Sequence, residues 1–355
     1  MTSRPVPDDS TLRAAQHRGD PPADAVAEAL AADPGVREQL EDALRNGSAV
    51  AGHPAVAAFV AELEELADAA DEELLRTGAR ATFTTPLAVH VFDVGAGALL
   101  SSYRPPGPAA VLTGTGRLVH GAHVRLDSTA RWLSAASLPG GLRRGAQGWR
   151  STAWVRVGHA VVRRVAARPA DGTLPISQFD SVRTWLDFTF VAPRSAHRLG
   201  HEVTDAEYAQ FLEHWRLLGA LLGVEPELIA GVVDRSGAAE LHRRIDALTG
   251  PPSEDSRDLT RAGLQALAGG LADLTGIPHG VGLQLARAVG RRMQGPELAD
   301  ALGIAPTPLE HAVPVVAAVA RGARAVLRRS PAAWEAMVRR NITANEEFLR
   351  RPSPG

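Results

Sequence analysis

A helical stretch near the middle of the chain places one histidine between two arginines. In TAWVRVGHAVVRRVA, Arg156 lies three residues before His159, and Arg163 lies four residues after it. Because positions three and four apart share one side of an α-helix, these side chains form a single stripe. A haem needs an imidazole ligand that points into an apolar pocket and cations near its carboxylates, and the stripe offers both. The alternative is a hydrogen-bonded core histidine flanked by arginines whose charged ends reach solvent.

A second pair of polar residues lies on the preceding predicted helix. Arg125 and Thr129 are four residues apart, on a stripe whose other members are apolar. A buried arginine is costly unless it is paired, so we predict a polar spot inside a cavity, where the two side chains donate hydrogen bonds to oxygen or orient a substrate. The alternative is structural: Arg125 pairs with a carboxylate such as Asp127 or Asp187, and Thr129 bonds to its own helix.

Other candidate sites are less specific. His120 and His123 are three residues apart and would suit a metal or the second axial position of a haem iron. The segment TGTGR lacks the preceding strand of a phosphate-binding loop, and the G-x-S-x-G sequence of many serine hydrolases does not occur. Hydrolase chemistry therefore has little support.

The composition excludes several classes of site and partner. The 355 residues include no cysteine, which excludes disulfides, zinc-thiolate sites, iron–sulfur clusters and a cysteine nucleophile. With a formal net charge of −2 the chain has no overall positive field, so no nucleic-acid partner is predicted. No uninterrupted apolar run approaches about 20 residues, and the N-terminus shows no apolar signal core. We therefore expect a cytoplasmic protein without an integral membrane segment.

Apolar residues recur at helical spacing over most of the chain, so we predict an all-α fold. Pro86 is expected to open a buried helix, and Thr204 with Glu207 forms the sequence of a capping box. The predicted organisation is a flexible N-terminal arm, an N-terminal helical extension, a core and a C-terminal helical part of the same domain, at residues 1–24, 25–84, 85–250 and 251–355.

Four blocks of the sequence, taken in order, resemble the family of rubber oxygenases, which includes the latex-clearing proteins and the MpaB-type oxygenases. The blocks are VLTGTGRLVHGAHVRLDSTARWL, LPGGLRRGAQGWRSTAWVRVGHAVVRR, PISQFD and LGHEVTDAEYAQFLEHWRLLGALLGV. The resemblance covers residues 85–230 well and the remainder loosely. Its most specific element is Arg-x-x-x-Thr followed by Arg-x-x-His-Ala-x-x-Arg, here Arg125, Thr129, Arg156, His159, Ala160 and Arg163.

The resemblance implies a haem b held in a globin-like helical core, with His159 as the iron ligand. By the same resemblance, Arg125 and Thr129 are the catalytic residues near the haem, and Arg156 and Arg163 take part in binding the cofactor. The implied reaction is the oxidation of an apolar small molecule by dioxygen, with cleavage of a carbon–carbon double bond in an isoprenoid as the reaction characterised in the family.

One departure from the family bears on the substrate. Some latex-clearing proteins place a lysine immediately before the motif threonine, whereas Ser128 stands there in this chain, which has no lysine at all. We therefore expect a smaller apolar substrate than polyisoprene, such as an isoprenoid or a secondary metabolite. Three alternatives stay open: another haem-dependent oxidase or peroxide-using enzyme, a non-catalytic haem or lipid carrier, and a haem-free helical interaction protein.

Overall fold

The computed structural model describes residues 5–114, 117–166 and 171–352, and within the helices it describes all side chains except those of 117–123 and 274. The chain is 77% helical, and no strand occurs in these described ranges. The predicted all-α class is therefore confirmed.

The helices follow one another with short connections. The first five are α1 (Asp9–Ala15), α2 (Pro21–Ala32), α3 (Val36–Asn46), α4 (Pro54–Asp68) and α5 (Glu72–Thr82). The next group is α6 (Leu87–His90), a π-helix that we call π1 (Val91–Leu99), α7 (Leu100–Ser102), α8 (Pro106–Gly114), α9 (Arg117–Ser137) and α10 (Gln147–Val165). Then come α11 (Gln178–Leu186), a second π-helix π2 (Asp187–Val191), α12 (Ala192–Arg198), α13 (Asp205–Leu221), α14 (Pro226–Ile229) and α15 (Arg235–Leu248). The last helices are α16 (Glu254–Thr275), α17 (His279–Gln294), α18 (Pro296–Ala301), α19 (Val313–Arg328) and α20 (Pro331–Arg350), and short 3-10 turns lie at Ser48–Val50 and Pro308–His311.

The chain divides into two compact units, each made from three separate segments. Unit 1 contains residues 1–81, 132–182 and 206–245, and unit 2 contains residues 82–131, 183–205 and 246–355. The chain passes from one unit to the other five times, so each unit combines segments that are distant in the sequence.

Unit 1 is built around helix α10, which packs along α2. Trp149 of α10 is fully buried and donates its indole N–H to the carbonyl oxygen of Leu63 on α4 at 3.2 Å. Helix α5 approaches α13 so closely that a Cβ added at Gly78 would lie 2.2 Å from the backbone oxygen of Gln210. Close packing of this kind fixes the position of α10 within its unit.

Unit 2 is built around the antiparallel neighbours α16 and α17 together with π1. Its core contains Leu100, Tyr103, Leu264 and Val289, all nearly or fully buried. π1 also approaches α12 closely, since a Cβ added at Gly97 would lie 2.5 Å from the hydroxyl of Ser195. The wider backbone of a π-helix leaves carbonyl groups available, and Gln294 of α17 donates to the Gly97 oxygen at 2.8 Å.

Two local predictions are corrected by the structure. The segment predicted as one helix after Pro86 is interrupted by π1. Residues 9–15 of the predicted flexible arm form α1, in which Leu12 is fully buried, and Asp20 caps α2. The arm is ordered because its apolar and acidic residues have partners that lie far away in the sequence.

No single helix of the described ranges is long and apolar enough to cross a membrane, although Glu72–Thr82 and Leu87–Ser102 reach that length together across a sharp bend.

Candidate active site

His159 lies on the border between two different faces of α10. Its side chain is half-buried. On one side of it the helix presents Val162 and the exposed Val165, and a Cβ added at Gly158 would meet no atom within 4 Å. The imidazole therefore lies next to a solvent-exposed and mainly apolar side of α10.

The opposite face of α10 carries a buried ion-pair cluster centred on Arg156. The guanidinium is only 3% exposed and donates to Asp20 through Nε at 2.7 Å and Nη2 at 2.8 Å, and to Glu62 through Nη1 at 2.9 Å. Burial disfavours the charge, but the bonds to the two carboxylates outweigh it and raise the pKa of Arg156. It also stacks over the ring of Phe59, 5.2 Å from the centroid.

Residues from several of the blocks noted in the sequence meet at this cluster. A Cβ at Gly223 would lie 2.2 Å from the Asp20 carboxylate and 2.6 Å from Arg156 Nε, so only glycine leaves room for the pair. Gln178 of the PISQFD block bonds to the backbone oxygens of Gly19 and Gly223 at 2.9 Å and 2.8 Å. These residues therefore hold the N-terminal helices against α10.

Arg163 is held in the same manner one turn beyond His159. Its Nε donates to Asp24 at 2.9 Å and its Nη1 donates to the backbone oxygen of Ile176 at 2.6 Å. Both arginines thus bind carboxylates of the segment 20–24, which already neutralise them. In the described structure both arginines anchor α10 to this segment, and their part in binding a cofactor stays a prediction.

Arg125 and Thr129 lie on α9 in unit 2. Arg125 is exposed and Thr129 is half-buried, so the stripe does not face a packed core at these positions, contrary to the expectation from periodicity. Asp127, one of the carboxylates considered for Arg125, instead binds Arg131 at 2.6 Å. Ser128, which stands where some relatives have lysine, donates to the backbone oxygen of Val124 at 2.8 Å.

Tyr103 is a potential hydrogen-bond donor that the sequence pattern did not identify. It is 4% exposed, and burial raises the pKa of its phenol to about 12, with the nearby Arg125 cation acting in the opposite direction. A lone tyrosine after a helix carries no recognisable spacing, so the sequence offered no signal for it.

Asp187 is a buried carboxyl at the start of π2. It is 1% exposed, and burial raises its pKa to about 6, although Arg183 and a hydrogen bond from Ser101 act in the opposite direction. One of its oxygens, Oδ2, has no hydrogen-bond partner among the described residues. Asp187 therefore belongs to a polar cluster of its own within unit 2, and the contribution it makes to stability depends on pH.

The structure assigns the predicted site residues to both units. His159, Arg156 and Arg163 lie together on α10 in unit 1, whereas Arg125 and Thr129 lie on α9 in unit 2. The side chains of His120 and His123 lie outside the described residues. Within the described part of the chain, no group of three or more histidine, aspartate or glutamate side chains is arranged to hold a metal ion.

Comparisons with known proteins agree with the fold and with the family resemblance. The chain is similar to a solved structure titled "Structure of Latex Clearing Protein LCP in the closed state", with a TM-score of 0.66 and 19% identity, over 94% of this chain and 91% of that chain. No protein of curated function matches the sequence. Residues 89–329 match the family described as "ER-bound oxygenase mpaB/B'/Rubber oxygenase, catalytic domain", a stretch that includes every predicted site residue. Since this match spans well over half of its length, the chain belongs to the mpaB and rubber oxygenase family and carries an oxygenase catalytic domain.

Proposed function

We propose that the protein is a haem b-dependent oxygenase that uses dioxygen to oxidise an apolar small molecule, with His159 as the axial ligand. The observation that carries this proposal is the half-buried imidazole beside the apolar, open side of α10, inside the matched oxygenase domain. Haem b, when bound, supplies an iron that activates dioxygen, which no amino-acid side chain does alone.

The ion pairs on the other side of α10 support the same role for His159. An axial ligand must be held in one orientation, and the anchors formed by Arg156 and Arg163 fix the rotation of the helix that carries the imidazole. We therefore propose the two arginines as positioning residues for His159.

Arg125 and Thr129 remain the proposed catalytic residues. Arg125 is exposed and carries a permanent cation, so it can donate hydrogen bonds to an oxygen atom on which negative charge develops. The half-buried hydroxyl of Thr129 lies one turn away and can orient the substrate. Tyr103, whose raised pKa keeps the phenol protonated, is a further hydrogen-bond donor in the vicinity of Arg125.

We propose an alkene of the isoprenoid class as the substrate. The solved relative is named for clearing latex, which is a polyisoprene, and the family match supports an oxygenase acting on polyisoprene-like molecules. The exposed Ser128 replaces a lysine found in some relatives, and its hydroxyl is engaged by its own helix. This difference supports a substrate smaller than the polymer.

The haem is tested by the absorption spectrum of the purified, haem-reconstituted chain, as isolated and after dithionite with carbon monoxide. We expect a Soret band in wild type that is lost or strongly shifted in His159→Ala. The matched control is His197→Ala, because His197 is exposed on α12 and should leave the band unchanged. A reconstituted wild type without a Soret band would refute the haem, and an unchanged band in His159→Ala would refute the ligand.

The reaction is tested by dioxygen uptake and product analysis with short isoprenoid alkenes. We expect uptake with dioxygen alone and oxidised or cleaved products, and at least a tenfold lower rate in Arg125→Ala with the Soret band retained. Turnover that requires peroxide would assign the chain to the peroxide-using alternative. Haem binding without turnover of any alkene, in wild type and variant alike, would favour a carrier.

A further inference from the structure

Helix α19 of unit 2 exposes a broad apolar face. Val315, Val316, Val319 and Val326 are between 63% and 69% exposed, which is unusual for four large aliphatic side chains on one helix. The small residues between them, Ala318, Gly322 and Ala323, are exposed as well. We call this surface the valine face. Its residues follow one side of the helix for its whole length, and no acidic or amide side chain interrupts it.

The inner side of α19 is firmly attached to unit 2. The buried Arg324 donates to the backbone oxygens of Thr84 at 2.5 Å and Glu202 at 3.0 Å, and it stacks over Trp334 at 4.9 Å. Ala317 packs closely against Gly200. A Cβ added at Gly200 would lie 2.2 Å from the backbone oxygen of Ala317. The valine face is therefore the outer side of a well-anchored helix, and its exposure does not come from a frayed end.

The charged side chains of α19 itself are all positive. Helix α19 contains no acidic residue, and Arg321 and Arg329 are exposed beside the valines, with Arg328 partly exposed. A second copy of this chain would bring the same arginines towards the first and offer no acidic residue of α19 to pair with them. A partner that complements the valine face and its arginines has an apolar interior and a negatively charged surface.

We propose that the valine face docks α19 onto the surface of a bilayer that contains anionic lipids. The helix would lie in the plane of the interface, with the valines among the acyl chains and Arg321 and Arg329 at the lipid phosphates. At 16 residues it is too short to span a hydrocarbon core of about 30 Å. Docking would bring the protein to the phase in which apolar molecules dissolve, but the proposal does not depend on the haem or on the reaction.

The test is co-sedimentation of the full chain with vesicles of phosphatidylcholine alone and of phosphatidylcholine with about one third phosphatidylglycerol. We expect binding to the anionic vesicles that weakens as salt is added, and little binding to the neutral ones. Val315→Asp with Val319→Asp should abolish binding, since two carboxylates would enter the apolar contact. Arg321→Gln and Arg329→Gln should each weaken it about fivefold.

Two measurements make the outcome decisive. Val281→Asp, at a valine of α17 that is 46% exposed, serves as the matched control and should bind as wild type does. Light scattering after size-exclusion chromatography reports whether the valine face instead joins two copies. A dimer that Val315→Asp with Val319→Asp converts to a monomer would overturn the proposal, and so would equal binding of wild type and this variant to anionic vesicles.

Discussion

At the scale of single residues, the charges of α10 are satisfied by partners that the sequence places far away. Arg156 and Asp20 are separated by 136 residues, yet they form a bidentate pair from which solvent is almost excluded. Residue type and spacing therefore identify His159 as a candidate ligand, but they do not show which neighbouring cations are already neutralised. That depends on tertiary contacts, which a helical stripe alone does not reveal.

Removal of Arg156 should be strongly destabilising. Arg156→Met leaves the Asp20 carboxylate buried without its main partner, so we expect the free energy of unfolding to fall by about 3 kcal/mol or more. Adding Asp20→Asn should restore part of this loss, because the uncompensated charge is removed. The measurement is urea unfolding of the single and double variants.

A surface ion pair provides the comparison for the Arg156 and Asp20 variants. Arg45 is 60% exposed and lies 3.5 Å from Glu41, so Arg45→Met should change the free energy of unfolding by less than about 1 kcal/mol. If Arg156→Met were no more damaging than Arg45→Met, the buried cluster would not anchor α10.

The buried Asp187 should make stability depend on pH. Its folded pKa of about 6 lies above its usual 3.8, so the folded chain holds a proton between these values that the unfolded chain has released. The stability contributed by this group is therefore present below about pH 4 and is lost as pH rises through 6. Relative to wild type, Asp187→Asn should gain about 3 kcal/mol of stability from pH 4 to pH 7, measured by urea unfolding at both values.

The exposed Asp171 gives a control of opposite sign. Hydrogen bonds from Thr173 lower its pKa, so its contribution is present at neutral pH and is lost in acid. Asp171→Asn should therefore be relatively less stable at pH 7 than at pH 4. If the difference in the free energy of unfolding between Asp187→Asn and wild type were the same at pH 4 and pH 7, the raised pKa of Asp187 would be contradicted.

At the scale of elements, the helical class and most helix positions could be predicted, whereas the interruptions could not. Helix α13 begins at Asp205, directly after the Thr204 of the predicted capping box, because capping residues mark the start of a helix. π1 and π2 were missed, because apolar runs such as VFDVGAGAL satisfy an α-helical and a π-helical backbone equally. What selects the π form is packing against neighbours, such as Ser195 against Gly97.

The C-terminal end of α20 is clamped by one arginine of α9. Arg131 donates to the backbone oxygens of Arg351 at 2.8 Å and Pro352 at 3.0 Å, and it stacks over Phe348. Asp127 holds the same guanidinium at 2.6 Å. Because a helix end leaves carbonyl groups without partners, this arginine acts as a C-cap supplied by another helix.

Loss of the clamp should loosen α20 and, through it, the segment of α9 that carries Thr129. In Arg131→Met we expect at least tenfold faster amide exchange over 345–352, measured by mass spectrometry, with a smaller increase over 125–131. Arg339→Met is the control, since Arg339 is 63% exposed on α20 and pairs only with Glu335 in the described structure. Equal exchange in both variants would show that the end of α20 is held by packing alone.

At the scale of the whole molecule, each compact unit combines three segments that are distant in the sequence. Helices α1 to α4 and α10 belong to one unit, α6 to α8 lie between them in the chain and belong to the other, and α9 is divided between the two after Arg131. The predicted residues on α9 and α10 are thus close in sequence but are carried by different units. Hydrophobic periodicity reports which face of a helix is buried, and it does not report which helix covers that face.

The same organisation predicts that the N-terminal helices cannot fold alone. A fragment of residues 1–81 would retain α1 to α5 but lose Trp149, which packs at Leu63, and Arg156, which neutralises Asp20 and covers Phe59. Its apolar faces would have no partner, and helices of this length are marginal without tertiary packing. We therefore expect a fragment with weak helicity and no cooperative thermal transition by circular dichroism, whereas the full chain unfolds cooperatively. A sigmoidal transition with protected amides in the fragment would instead show that residues 1–81 fold independently.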